Sequence, residues 1–127
     1  MRSYILVVED NADLRLLYRQ ALALEGYQVD LAANGADALA MLRARAEPPS
    51  LILLDLMMPL MSGWEFLEEV ARDPALGHLP VVVCSAARDR IPMGVRFLRK
   101  PVELDTLLQI AKDHCTGVDS QSPASAQ

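Results

Sequence analysis

The chain has 127 residues, 52% of them apolar and 23% charged, the make-up of one soluble domain large enough to bury a core. A net charge of −5 argues against a nucleic-acid binder, which needs a basic footprint, and no apolar run approaches the length of a membrane span. Met1-Arg2-Ser3-Tyr4 leads straight into Ile5-Leu6-Val7-Val8 with no signal-peptide layout, and Cys84 and Cys115 lack metal-ligand spacing, so two reduced cysteines in a cytoplasmic protein are expected.

Tyr4–Val8 reads as a first strand that runs into Glu9-Asp10-Asn11. Leu14, Leu17, Tyr18, Ala21 and Leu22 then recur at helical spacing on one face, and Gly26 stops that helix. Residues 27–32 alternate as a second strand, less buried than the first. Asn34-Gly35 makes a turn and a cap, and Ala38, Leu39 and Leu42 face inward from a second helix closed by Glu47-Pro48-Pro49-Ser50. Leu51–Leu54 is a run of aliphatic residues, the pattern of a parallel strand buried on both faces, and it ends on Asp55. Pro59 and Gly63 punctuate a loop. A third helix over 64–72 carries Phe66, Leu67 and Val70 and is ended by Asp73-Pro74.

Residues 81–84 form a fourth buried strand terminating at Ser85, and 96–98 a short fifth strand terminating at Arg99-Lys100-Pro101. The last helix, over 103–114, presents Leu104, Leu107, Leu108 and Ala111 on one face. From Thr116 on, Gly, Ser, Gln, Pro and Ala dominate, which predicts a disordered tail over 116–127 after a domain at 1–115. Arg88, Arg90, Arg96, Arg99 and Lys100 are the one basic concentration and read as a solvated rim.

Strand and helix alternate through most of the chain, so the fold class is α/β, a doubly wound five-stranded parallel sheet covered on both faces. In such a sheet the residues just past each strand gather on one edge: Glu9, Asp10 and Asn11; Asp55 and Met57; Ser85 and Ala86; Lys100. Like charges about 5 Å apart cost roughly 3 kcal/mol at an effective dielectric near 20. A cluster of three carboxylates therefore persists because a cation sits in it or because one carboxyl stays protonated. Oxygen-only ligands point to a hard ion, and few ligands with room for water suit Mg²⁺ better than Ca²⁺.

Glu9-Asp10 after the first strand, Asp55 after the third, Ser85 after the fourth and Lys100-Pro101 after the fifth resemble the receiver domain of two-component response regulators. The loop after Asp55, with Pro59 and Gly63, is similar to that family's phosphorylation loop. The resemblance covers residues 4–115 and implies a flavodoxin-like strand order 2-1-3-4-5. It also implies that Asp55 is the phosphoacceptor, taking its phosphoryl group from a phosphohistidine on a histidine kinase or phosphotransfer protein. Asp10, Asp55 and the Met57 backbone carbonyl hold Mg²⁺ in this reading, and Glu9 acts through water. Lys100 pairs with Asp55 at rest and with the phosphoryl group afterwards, while Ser85 and Phe97 switch. The Lys100-Pro101 bond is expected to be cis. The module acts on itself rather than turning over a substrate, and it reports to a downstream protein, not to nucleic acid or membrane.

One stretch departs from that pattern. Only ten residues, 86–95, connect the fourth strand to the fifth, and Pro92 and Gly94 interrupt any helix there. The fourth helix is expected to be missing or cut to a turn, which touches the face that reports phosphorylation in receivers. A phosphate-independent interaction module on the same fold is the alternative. A haloacid-dehalogenase-type enzyme needs a second Asp two residues after the nucleophile, where Met57 stands, and Glu9-Asp10 would repel a flavin phosphate. The start close to the first strand, with no effector domain after Cys115, predicts a stand-alone module.

Overall fold

The computed structural model describes residues 4–86 and 91–119, with the side chains of 116–119 left aside. Its elements are β1 (Tyr4–Val8), α1 (Ala12–Leu24), β2 (Gln28–Ala32), α2 (Gly35–Ala44), β3 (Leu51–Leu54), α3 (Gly63–Arg72), β4 (Val81–Ser85), β5 (Arg96–Arg99) and α4 (Leu104–Asp119). The strands pair in parallel in the order β2-β1-β3-β4-β5. This is the doubly wound, flavodoxin-like sheet expected from the alternation of elements.

Successive side chains of a strand point to opposite faces, and the two cores follow that period. Leu6, Val8, Ile52, Leu54 and Val83 pack with Leu39, Leu42, Phe66, Leu67 and Val70 under α2 and α3. Ile5, Val7, Leu51, Leu53, Val82 and Cys84 pack with Tyr18, Leu22, Leu107, Ile110 and Ala111 under α1 and α4. The three central strands are therefore apolar on both sides. The outer strands β2 and β5 are mostly half-exposed, as edges are.

Local chemistry sets the helix ends. Asn34 caps α2, its Oδ1 accepting from the Asp37 N–H at 2.8 Å. At α3, Ser62 Oγ accepts from the Glu65 N–H at 3.2 Å and Glu65 Oε1 accepts from the Ser62 N–H at 2.9 Å, a reciprocal capping box. At the end of α1, Gly26 sits at φ +95°, with Gly26 N–H donating to Ala23 O and Tyr27 N–H to Leu22 O, the paired bonds of a Schellman stop.

Three sequence expectations shift. Leu17 is 42% exposed, because the buried stripe of α1 runs through Tyr18, Ala21 and Leu22 and leaves Leu17 one position off its centre. In α4 the buried stripe is Leu107, Ile110, Ala111 and Cys115, with Leu104 turned outward. The helix itself runs on to Asp119 past non-helical geometry at Cys115, into the stretch expected to be tail; 120–127 lie outside the described residues.

The connection from β4 to β5 shows no helix at Ala86 or over 91–95, and 87–90 lie outside the described residues. The fourth helix of the expected pattern is reduced, and among the described residues four helices cover the sheet. Ile91 and Val95 pack partly against the α2–α3 core in its place, while Met93 is fully exposed. No helix among the described residues is long and apolar enough to cross a membrane.

The loop after β3 holds one strained residue. Leu60 sits at φ +68° between Pro59 O and the Met61 N–H that donates to it at 2.7 Å, and its side chain is 84% exposed. A non-glycine residue in this region costs about 1–3 kcal/mol, and glycine returns roughly 0.5–1 kcal/mol of that through its freer unfolded chain. Leu60→Gly is expected to raise stability by about 0.5–1 kcal/mol, read as a higher urea midpoint at unchanged slope; a lower midpoint would show that Leu60 packs usefully.

Candidate functional site

The C-terminal edge of the sheet collects four chain segments. Beyond β1, the Glu9 N–H donates to Ala32 O at 3.0 Å and turns the Glu9 side chain inward, where it is only 2% exposed. Asp10 and Asn11 follow on the surface, and Asn11 caps α1 by accepting from the Leu14 N–H. Beyond β3, the Asp55 N–H donates to Val8 O at 2.9 Å, which continues the β1–β3 ladder by one residue and sets Asp55 beside the acidic pair. Ser85 ends β4, buried, and the Lys100 N–H donates to its carbonyl at 3.0 Å. The Lys100–Pro101 bond is cis.

Glu9, Asp10, Asn11, Asp55, Met57, Ser85 and Lys100, together with Leu14 and Ala86, line one open pocket of about 510 Å³. An oxygen from each of Glu9, Asp10 and Asp55 lies within 4.8 Å of the others. Lys100 Nζ donates to Glu9 Oε1 at 2.7 Å and stands 3.5 Å from Asp55 Oδ1. The Asn11 N–H binds the other Glu9 oxygen at 3.1 Å. Three carboxylates against one ammonium leave a surplus of negative charge on hard oxygen donors, in a pocket with room for water, and that donor set fits a small divalent cation such as Mg²⁺.

Burial pushes the Asp55 carboxyl up from 3.8 to about 6; the Glu9 charge and a hydrogen bond with Asp10 add to this, while Lys100 and the Met57 N–H work against it. Burial alone would lower Lys100. The Glu9 hydrogen bond and the charges of Glu9 and Asp55 outweigh it, so its pKa stands above the ordinary lysine value and the ammonium is kept. Behind the pocket, burial pushes the Cys84 thiol up to about 12, which leaves it protonated at neutral pH and a poor nucleophile.

The residues singled out in the sequence thus meet in one place, with one exception. Phe97 does not line the pocket; it is half-buried on β5 and packs against the α2–α3 core, as Ile91 and Val95 do. Two features of the site were not visible beforehand. The shorter contact of Lys100 goes to Glu9 rather than Asp55. Arg15, one turn into α1, donates from Nη1 to Glu9 O at 2.7 Å and to Asp10 O at 3.3 Å; the signal for it was a cation near the start of a helix, where the helix dipole disfavours one.

Residues 5–112 match the response regulator receiver domain. The chain belongs to that family. Among relatives, the sensor histidine kinase TmoS of Ectopseudomonas mendocina is 38% identical over 110 residues, which cover 87% of this chain but 11% of TmoS. The polar-differentiation response regulator DivK of Brucella anthropi is 30% identical over 121 residues, covering 90% of this chain and 97% of DivK. A solved signal receiver domain of a signal transduction histidine kinase from Syntrophus aciditrophicus superposes with a TM-score of 0.80 at 28% identity, over 91% of this chain and 92% of that one. The receiver therefore spans a small fraction of one relative and nearly all of another. It is a module of two-component signal transduction, and its acidic pocket lies at the C-terminal edge of the sheet.

Proposed function

We propose that this receiver accepts a phosphoryl group on Asp55 from the phosphohistidine of a histidine kinase or phosphotransfer protein, in a Mg²⁺-dependent step, and so switches a surface read by a downstream protein. The observation that carries the reading is Asp55 itself, a buried carboxylate held between two others and an ammonium. A carboxylate with a pKa near 6 is ionised at neutral pH and more basic than an ordinary Asp, which favours it as a nucleophile. An Asp55 oxygen attacks phosphorus, the phosphorus–nitrogen bond breaks, and the electron pair returns to the imidazole, which then takes a proton.

Asp10, Asp55 and the Met57 carbonyl would hold Mg²⁺, with Glu9 acting through water; bound there, the ion supplies positive charge against the phosphoryl oxygens. Lys100, steadied by Glu9, offers its ammonium to the same oxygens. The Ser85 hydroxyl turns toward the phosphoryl group, and because the Lys100 N–H is bonded to the Ser85 carbonyl, β4 and β5 respond together. Phe97, three residues before Lys100, moves with β5.

The reduced β4–β5 connection favours the alternative, a phosphate-independent interaction module, since it alters the face that would report the modification. Mass spectrometry after incubation with acetyl phosphate and Mg²⁺ separates the two. Wild type is expected to gain one phosphoryl group and Asp55→Asn none. Unmodified wild type, or a mutant that still takes up the group, would overturn the assignment.

A further inference from the structure

From these contacts we infer that Arg15 is a positioning residue of the acidic pocket, clamping the Glu9 and Asp10 main chain so that both carboxylates are set for the cation. This rests on the metal reading of the pocket given above. The carbonyls of residues 9 and 10 fall in the gap between two hydrogen-bonding systems. The β1 ladder ends at Val8, and the first helical carbonyl is that of Asn11, which accepts from the Arg15 N–H at 2.9 Å. Both intervening carbonyls accept from one donor, Arg15 Nη1, at 2.7 and 3.3 Å.

The position of Arg15 is otherwise unfavourable. A guanidinium reaching back over the N-terminal end of α1 opposes the helix dipole, and a positive charge beside the pocket competes with a bound cation. Its placement therefore violates two local preferences at once, which marks a site where function overrides them. What it supplies in exchange is geometry. Asp10 is exposed, and apart from its hydrogen bond with the Asp55 carboxyl its carboxylate is aimed by the direction of its Cα–Cβ bond, which the main chain held by Arg15 sets. A planar, rigid guanidinium fixes a pair of acceptors better than a flexible ammonium does. Ligands fixed in advance bind an ion without the entropic cost of ordering them.

Charge and geometry give opposite signs when the side chain is changed, and this makes the inference testable. Mg²⁺ is titrated calorimetrically into wild type, Arg15→Gln and Arg15→Lys without any phosphodonor. In parallel, the Mg²⁺ dependence of phosphorylation by acetyl phosphate is measured. Arg15→Gln is expected to weaken Mg²⁺ binding about tenfold, with Arg15→Lys between it and wild type. The Mg²⁺ concentration for half-maximal phosphorylation should rise in parallel, far more than the rate at saturating Mg²⁺ falls. Binding as tight as or tighter than wild type in either variant would overturn the inference, and tighter binding in Arg15→Gln would show that the residue acts through its charge. Should Arg15→Gln fail to fold, Arg15→Lys decides. Wild type that binds no Mg²⁺ overturns the metal reading and the inference with it, whereas wild-type binding with unaltered variants removes only the role of Arg15.

Discussion

Asp55→Asn is expected to be more stable than wild type at pH 8 in the absence of divalent cations, by about 2 kcal/mol. A pKa raised from 3.8 to about 6 means that the folded protein holds the Asp55 proton more tightly than the unfolded chain does. The stability this lends is fully present below about pH 3.8 and is lost as pH rises through about 6. Above that, the ionised carboxylate is a burden of roughly 3 kcal/mol at most. The pocket opens on solvent beside exposed Asp10 and Met57, and screening there trims the figure to the expected value. Asparagine keeps the shape without the charge, and Lys100 retains Glu9 as its partner. Urea midpoints at pH 4, 6 and 8 in a chelating buffer read the effect: the gap between mutant and wild type should open with rising pH and narrow when Mg²⁺ is added. A gap that widens toward pH 4 would contradict the electrostatics of the pocket.

Gly63→Ala should be among the most disruptive single-methyl changes in the molecule, costing about 3 kcal/mol. A β-carbon at Gly63 would stand 2.4 Å from the Asp55 carbonyl oxygen and 2.7 Å from Leu56 Cα. Those neighbours are backbone, so neither can swing away. The close approach is the means by which α3 is seated: the Gly63 N–H donates to Leu56 O at 2.9 Å, and the capping box at Ser62 and Glu65 fixes the same turn. The better helix propensity of alanine recovers less than about 1 kcal/mol. The displaced atom belongs to Asp55, so under the proposed function the variant should also be phosphorylated more slowly than its lost stability explains. A urea midpoint within error of wild type would mean that α3 is seated otherwise.

The strands were legible because buried parallel strands announce themselves as uninterrupted aliphatic runs, as at Leu51–Leu54. The pocket was legible for a related reason. Polar residues directly after such runs, as at Glu9, Asp55 and Ser85, gather on one edge once all strands point the same way. What escaped was whatever depends on angle rather than order. Leu17 and Leu104 turn outward while Ile110 and Cys115 turn in, since a helical face drifts by a fraction of a residue per turn and several leucines compete for it. The preference of Lys100 for Glu9 depends on where two side chains end, and the reach of Arg15 back over its own helix depends on its rotamer. Neither distance is written in the spacing.

The 91 positions that separate Lys100 from Glu9 also set an order of events as the chain leaves the ribosome. By Asp55 all three carboxylates have been made, together with the strands that bring them side by side, while the lysine that answers them is about a third of the chain away. An intermediate of β1, β2 and β3 would hold unbalanced negative charge at its edge, and counter-ions from solution would have to stand in until β5 arrives. Docking of the last strand then completes the sheet and the reactive centre in one step. A fragment lacking it would carry Asp55 but not the charge balance, so under the proposed function phosphorylation would double as a check that synthesis and folding have reached the far edge of the sheet.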